Sequence, residues 1–168
     1  DKFTFFRQGF IAVEEGKIVS VGYHLDEKYH NAKVIDFGNQ LIIPSFNDVH
    51  IHAPQYPMAG LGFDQELLPW LQNYTFPLEA KYDDIDYAQK KYKQFLIKLW
   101  KVGTLRFVAF STIHKEATIA LIELIAQTGL KAFVGKVNMD RNAIPELTEA
   151  TETSISDTLA VLEATSSY

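Results

Sequence analysis

From Pro44 onward the sequence alternates between two hydrophobic periods, and that alternation constrains the fold more than any other feature. Residues 48–52 read as a strand. The segment 84–101 places Ile85, Ala88, Tyr92, Phe95, Leu96 and Leu99 on one helical side, with Asp83 or Asp84 as N-cap and Gly103 to close it. TLRFVAF (104–110) is strand-like, Lys115 to Thr128 is helical up to Gly129, and AFVGKV (132–137) is a third strand. A last helix is expected from Ser154, with Asp157 placed for a capping box and Ile155, Leu159 and Leu162 turned inward. Between them, Pro54, Pro57, Gly60, Gly62, Pro69 and Pro77 predict a long loop. Strand–helix–strand order requires parallel strands joined by helical crossovers. An open doubly wound sheet and a closed β/α barrel both begin this way. No glycine-rich phosphate loop follows a strand, which disfavours a nucleotide-binding sheet.

The stretch before Pro44 has a different character. FTFF, FIAV, KIVSVG, KVIDFG and QLIIP are short apolar runs, with a Glu15-Gly16 turn between the second and third. They predict part of a small all-β domain of sandwich type over residues 1–44, followed over 45–168 by an α/β unit of three βα steps. Apolar residues make up 47% of the 168, enough for a sizeable core. The net charge of -5 is mild, and the densest basic run, Lys90-Lys91-Tyr92-Lys93, lies in the helical pattern as a solvated face rather than a nucleic-acid patch. No stretch approaches the ~20 apolar residues of a membrane span. The opening DKFTFFRQGF lacks the apolar block of a secretory signal, and cysteine is absent, so a disulfide framework and a thiolate metal site are both excluded. A cytoplasmic location fits. The first residue is Asp1 rather than Met, so a segment upstream is expected.

The strand around residue 50 is chemically odd. NDVHIH sets Asp48, His50 and His52 at every second position, so period-two alternation turns all three to one face. Imidazoles two residues apart on a strand are about 6.5 to 7 Å apart at the backbone, and their rings can lean together on one ion at roughly 2.0 to 2.1 Å each. Asp48 is placed to orient one of them as an outer acceptor. A short His-x-His pair also arises by composition alone, as a partly solvated strand face. Its place at the end of a strand that opens a parallel βα series favours metal binding, because β/α barrels gather their active sites there.

At this point LIIPSFNDVHIH resembles the entry signature of the amidohydrolase superfamily, metal-dependent hydrolases built on a (β/α)8 barrel of TIM type. GKIVSVG and VIDFGNQLIIP resemble the small β-domain that introduces that barrel. HIHAPQY, ELLPWLQNYTFPLEAKY, FSTIHKEAT and AFVGKVNMD are similar, in order and spacing, to guanine deaminases. The resemblance implies hydrolysis of guanine to xanthine and ammonia by a zinc-activated water, with iron as the alternative ion. It implies His50 and His52 as metal ligands, and His52, Ala53, Pro54 and Gln55 as the substrate-binding segment. The Gln55 amide suits a purine edge because it offers both a donor and an acceptor. Trp70 and Phe76 stand as pocket walls or as loop packing. His114 stands as a pocket residue or as a helix-start hydrogen-bonding group. Lys136 corresponds to an ordinary strand lysine rather than a metal-bridging one, and Asp140 to a turn or cap. A homodimer is implied for the complete enzyme, with no nucleic-acid or membrane partner.

A catalytic zinc site typically takes three protein ligands, and no histidine follows His114. The residues after 44 number about half of the ~250 of a full barrel. The chain therefore reads as the front part of such an enzyme, lacking the proton-shuttling glutamate and metal aspartate, and inactive alone. Three other readings compete: a deaminase or cyclic amidohydrolase acting on cytosine, triazine or hydantoin rings, a non-catalytic scaffold with a degenerate barrel, and a free-standing metal module completed by His114 or Asp140.

Overall fold

The computed structural model describes residues 3–168. It is a mixed α/β structure of two compact units, Asp1–Ile43 and Pro44–Tyr168.

The first unit holds one antiparallel hairpin, β1 (Phe10–Glu14) and β2 (Lys17–Gly22). Glu15 and Gly16 both take positive φ, 49° and 75°, which gives the two-residue turn the twist of its flanking strands. Of the sandwich-type domain expected in part over residues 1–44, the described residues form this one hairpin. Among the described residues FTFF, KVIDFG and QLIIP pair with no neighbour, and Val34, Ile35, Leu41 and Ile42 stand exposed. Apolar β-branched composition marks a run that can be a strand, but a strand exists only where a second one supplies its hydrogen bonds.

The second unit follows the predicted alternation. Strands β3 (Phe46–His52), β4 (Thr104–Phe110) and β5 (Lys131–Gly135) form a parallel sheet in sequential order. Between 53 and 83, where a loop was expected, the chain makes a 3-10 turn at Ala53–Met58. It then runs as a helical stretch through α1 (Leu67–Trp70), a π-turn at Leu71–Thr75, α2 (Phe76–Glu79) and a 3-10 turn at Ala80–Asp83. The prolines misled the reading. Pro69 falls in the first turn of the stretch, where the missing N–H has no helical partner to lose, and Pro77 directly follows the π-turn, where the regular hydrogen-bond register is already interrupted.

Helix α3 (Ile85–Val102) is capped by Asp84, whose side chain accepts from the amides of Asp86 and Tyr87, and is closed by Gly103 at φ 77°. Helix α4 is Lys115–Ala126 and α5 is Thr151–Ala164. The core joins Tyr92, Phe95, Leu96 and Leu99 of α3 and Leu121 and Ile125 of α4 to Phe107 and Ala109 of β4. Along β4 these buried residues alternate with Arg106, Val108 and Phe110, which stay exposed. The helices thus cover one face of the sheet and leave the other bare. Helix α5 starts three residues before the expected Ser154, which lies inside it, and Asp157 pairs with Lys115 instead of capping. Ile155, Leu159 and Leu162 are exposed rather than inward. Among the described residues no helix is long and apolar enough to cross a membrane.

Candidate metal centre and purine site

The regular alternation assumed for β3 is interrupted. Asp48 lies opposite Phe107 and Ile51 opposite Ala109, so β3 carries one residue more than β4 between these pairs, a bulge. Val49 is 76% exposed at this bulge, while Ile51 packs against the core. The Asp48 carboxylate accepts from the backbone amide of His50 at 3.1 Å. Its partner is therefore the bulged backbone and not an imidazole.

Past the bulge, the rings of His50 and His52 lie 5.3 Å apart between centroids, at 67°. Phe110, at the end of the neighbouring strand, stacks on His52 at 4.8 Å and meets His50 edge-on at 5.3 Å. The sequence reading missed this residue, although adjacency of β3 and β4 ends in parallel register pairs His52 with Phe110 directly. The arrangement fits a metal ion. Two ring nitrogens held at about 2.1 Å from a tetrahedral centre put the ring centres roughly 5 Å apart. Burial, reinforced by the neighbouring His50, lowers the pKa of His52 and favours the neutral ring that ligates. Among the described residues no group of three or more His, Asp or Glu side chains could hold an ion together. That removes the free-standing module: His114 and Asp140 do not complete the pair.

The segment after β3 turns at once into the Ala53–Met58 helix turn, burying Ala53 and Pro54 and leaving Gln55 partly buried. Gln55 Nε2 donates to Glu79 Oε1 at 3.2 Å. Glu79 closes α2 and is only 5% exposed; burial pushes its carboxyl up to about 7, against the pull of the Gln55 amide. Tyr82 and Tyr92 lie close by, both raised by burial, and the Tyr92 hydroxyl shares a 2.9 Å hydrogen bond with Ser111. Glu79 had been given no role from the sequence, though it ends the YTFPLE motif.

Trp70 packs on the Gly62 turn and its Nε1 donates to the carbonyl of Leu61 at 3.4 Å, so it serves the loop. Phe76 is half-buried at the start of α2. His114 is the N-cap residue of α4 but caps nothing with its side chain; Nδ1 lies 3.5 Å from Asp83 and Nε2 is buried without a protein partner. Burial lowers its pKa, opposed by Asp83. Lys136 is not an ordinary strand lysine: just past β5, its fully buried ammonium donates to both Glu149 oxygens at 2.8 and 2.9 Å and to Asn138. Asp140 accepts from Thr151 Oγ1 at 2.9 Å at the start of α5, whose N-cap residue is Ala150.

Parallel strands backed by crossover helices, with two imidazoles paired where the first strand ends, define a mixed α/β protein with polar side chains collected at a strand end. No protein-family model matches the chain. It is 46% identical over 125 residues to the guanine deaminase of Dictyostelium discoideum, covering 74% of this chain and 28% of that protein. It is 33% identical over 162 residues to the guanine deaminase of Escherichia coli K12, covering 95% and 37%. A crystal structure of guanine deaminase from C. acetobutylicum with guanine bound in the active site superimposes with a TM-score of 0.91 at 48% identity, covering 97% of this chain and 39% of the other. The chain is a homologue of guanine deaminases and spans about a third of the length of the curated relatives it matches.

Proposed function

We propose that a protein carrying this chain within the full length of its relatives deaminates guanine hydrolytically to xanthine and ammonia. One observation carries the reading. Two imidazoles stand together where the first parallel strand ends, three residues before Gln55, in a chain 48% identical to a guanine-bound guanine deaminase. His50 and His52 are two of the residues that hold the metal, zinc by preference of nitrogen ligands and iron otherwise. When bound, the ion supplies water activation near neutral pH. His52 to Gln55 form the purine-binding turn, with the Gln55 amide on the base.

The bare inner face of the β3–β4–β5 sheet, opposite its helices, supports an eight-stranded TIM-type barrel, of which this chain provides the first three βα units and the small β-unit over 1–44. A homodimer in the cytoplasm, with no nucleic-acid or membrane partner, completes the reading.

The test is xanthine release by the purified protein of full relative length, with metal analysis. Guanine is expected to turn over while cytosine, adenine and hydantoin do not, and His50→Ala is expected to lose bound zinc and about 10²-fold or more of activity. Turnover of hydantoin or cytosine in place of guanine would move the assignment within the superfamily. Absence of metal in the wild type would sink it.

A further inference from the structure

A carboxyl group buried against a single neutral amide is a costly way to hold a turn. Removing a carboxylate from water is unfavourable unless partners compensate, and a well-packed apolar residue of similar size is often the more stable choice. Glu79 is nevertheless buried at the end of α2, beyond the π-turn, with Gln55 Nε2 as its hydrogen-bond partner at 3.2 Å. Helices interrupted by π-turns often mark functional positions.

We propose that Glu79 is a positioning residue for Gln55, fixing which end of the carboxamide is presented to the purine. The inference rests on the reading of Gln55 as a purine-binding residue. Once ionised, above about pH 7, the Glu79 carboxylate only accepts hydrogen bonds, so it takes an Nε2–H and turns Oε1 away from itself. Because the amide is planar, Oε1 and the second Nε2–H then form a donor–acceptor edge in one fixed order. A purine edge carries its own donors and acceptors in fixed order, so only one amide orientation matches. Without Glu79, Gln55 samples both orientations and the match is lost part of the time. The cost falls on binding of the base. Glu79 itself touches no reacting atom.

The test is a double-mutant cycle in the metal-loaded protein of full relative length, with Gln55→Ala, Glu79→Gln and the pair. Each single variant is expected to raise KM for guanine about tenfold, the size of one hydrogen bond to a charged or oriented group, with kcat within about threefold. The pair is expected to be no worse than Gln55→Ala alone, because Glu79 acts only through Gln55. Effects that multiply, or an unchanged KM in Glu79→Gln, would overturn the positioning role while leaving the purine contact of Gln55 standing. An unchanged KM in Gln55→Ala would overturn that contact and the positioning role with it. Should Glu79→Gln fail to fold, an atomic-resolution structure of the wild type with xanthine decides. Nε2 on Glu79 with Oε1 on the base supports the proposal, and a reversed or detached amide overturns it.

Discussion

Glu79 is the residue whose ionisation the fold alters most legibly, and the consequence can be read as stability against pH. Its carboxyl rises from an ordinary 4.5 to about 7 through burial, with Gln55, Tyr82 and Tyr92 around it. Below about pH 4.5 the group is protonated folded or unfolded, so it contributes no difference. Between 4.5 and 7 the folded state holds the proton and the unfolded state does not, so stability falls as pH rises. Above about 7 the penalty is complete, on the order of 3 kcal/mol. Glu79→Gln removes the titration. Relative to this variant, wild-type Tm is expected to fall steadily between pH 4.5 and 7.5 and then level off. A constant difference across that range would show that the carboxyl is not buried as described.

At the scale of elements, the buried Lys136–Glu149 pair fastens the exit of β5 to the start of α5. The lysine ammonium is fully buried, and Ser154 Oγ, inside α5, lies 2.8 Å from Glu149 Oε1 and 2.6 Å from Asn138 Oδ1, with one proton to donate between them. Lys136→Met leaves the buried Glu149 without its charge partner, a loss of about 3–5 kcal/mol. A Tm lower by on the order of 10 °C is expected, with much of it recovered in Lys136→Met/Glu149→Leu. The sequence disclosed the elements here but not the fastening, since a lone lysine after a strand looks the same whether it meets water or Glu149.

The other elements divide in the same way. Helix α3 was legible because its apolar stripe, Asp84 cap and Gly103 stop all agree. The β3 bulge was not, because period-two alternation in the sequence conceals an unpaired residue until its partner strand is known. His50 and His52 could be singled out by spacing, whereas Phe110 and Glu79 reach the site through contacts 58 and 24 residues removed from His52 and Gln55. Such contacts become readable only once strands and helices are placed.

For the whole molecule, what matters is what the second unit leaves uncovered. The parallel sheet has β3 and β5 as edges, and its inner face carries Val108, Phe110 and Phe133 in the open, the last 79% exposed. Ile155, Leu159 and Leu162 of α5 add a second apolar surface. A barrel would close both edges and bury the inner face, whereas an isolated sheet offers unpaired backbone groups beside apolar side chains, the combination that templates association. The 168-residue chain expressed alone is therefore expected to run well above its 19.1 kDa in light scattering at micromolar concentration. It should release no xanthine, because two imidazoles leave the ligand set incomplete. Phe133→Lys places a charge in the middle of the β5 edge and is expected to shift the distribution toward monomer without restoring activity. A monodisperse monomer from the unsubstituted chain would mean that the open face of the sheet is covered in solution. Such an outcome would remove the main physical support for the barrel.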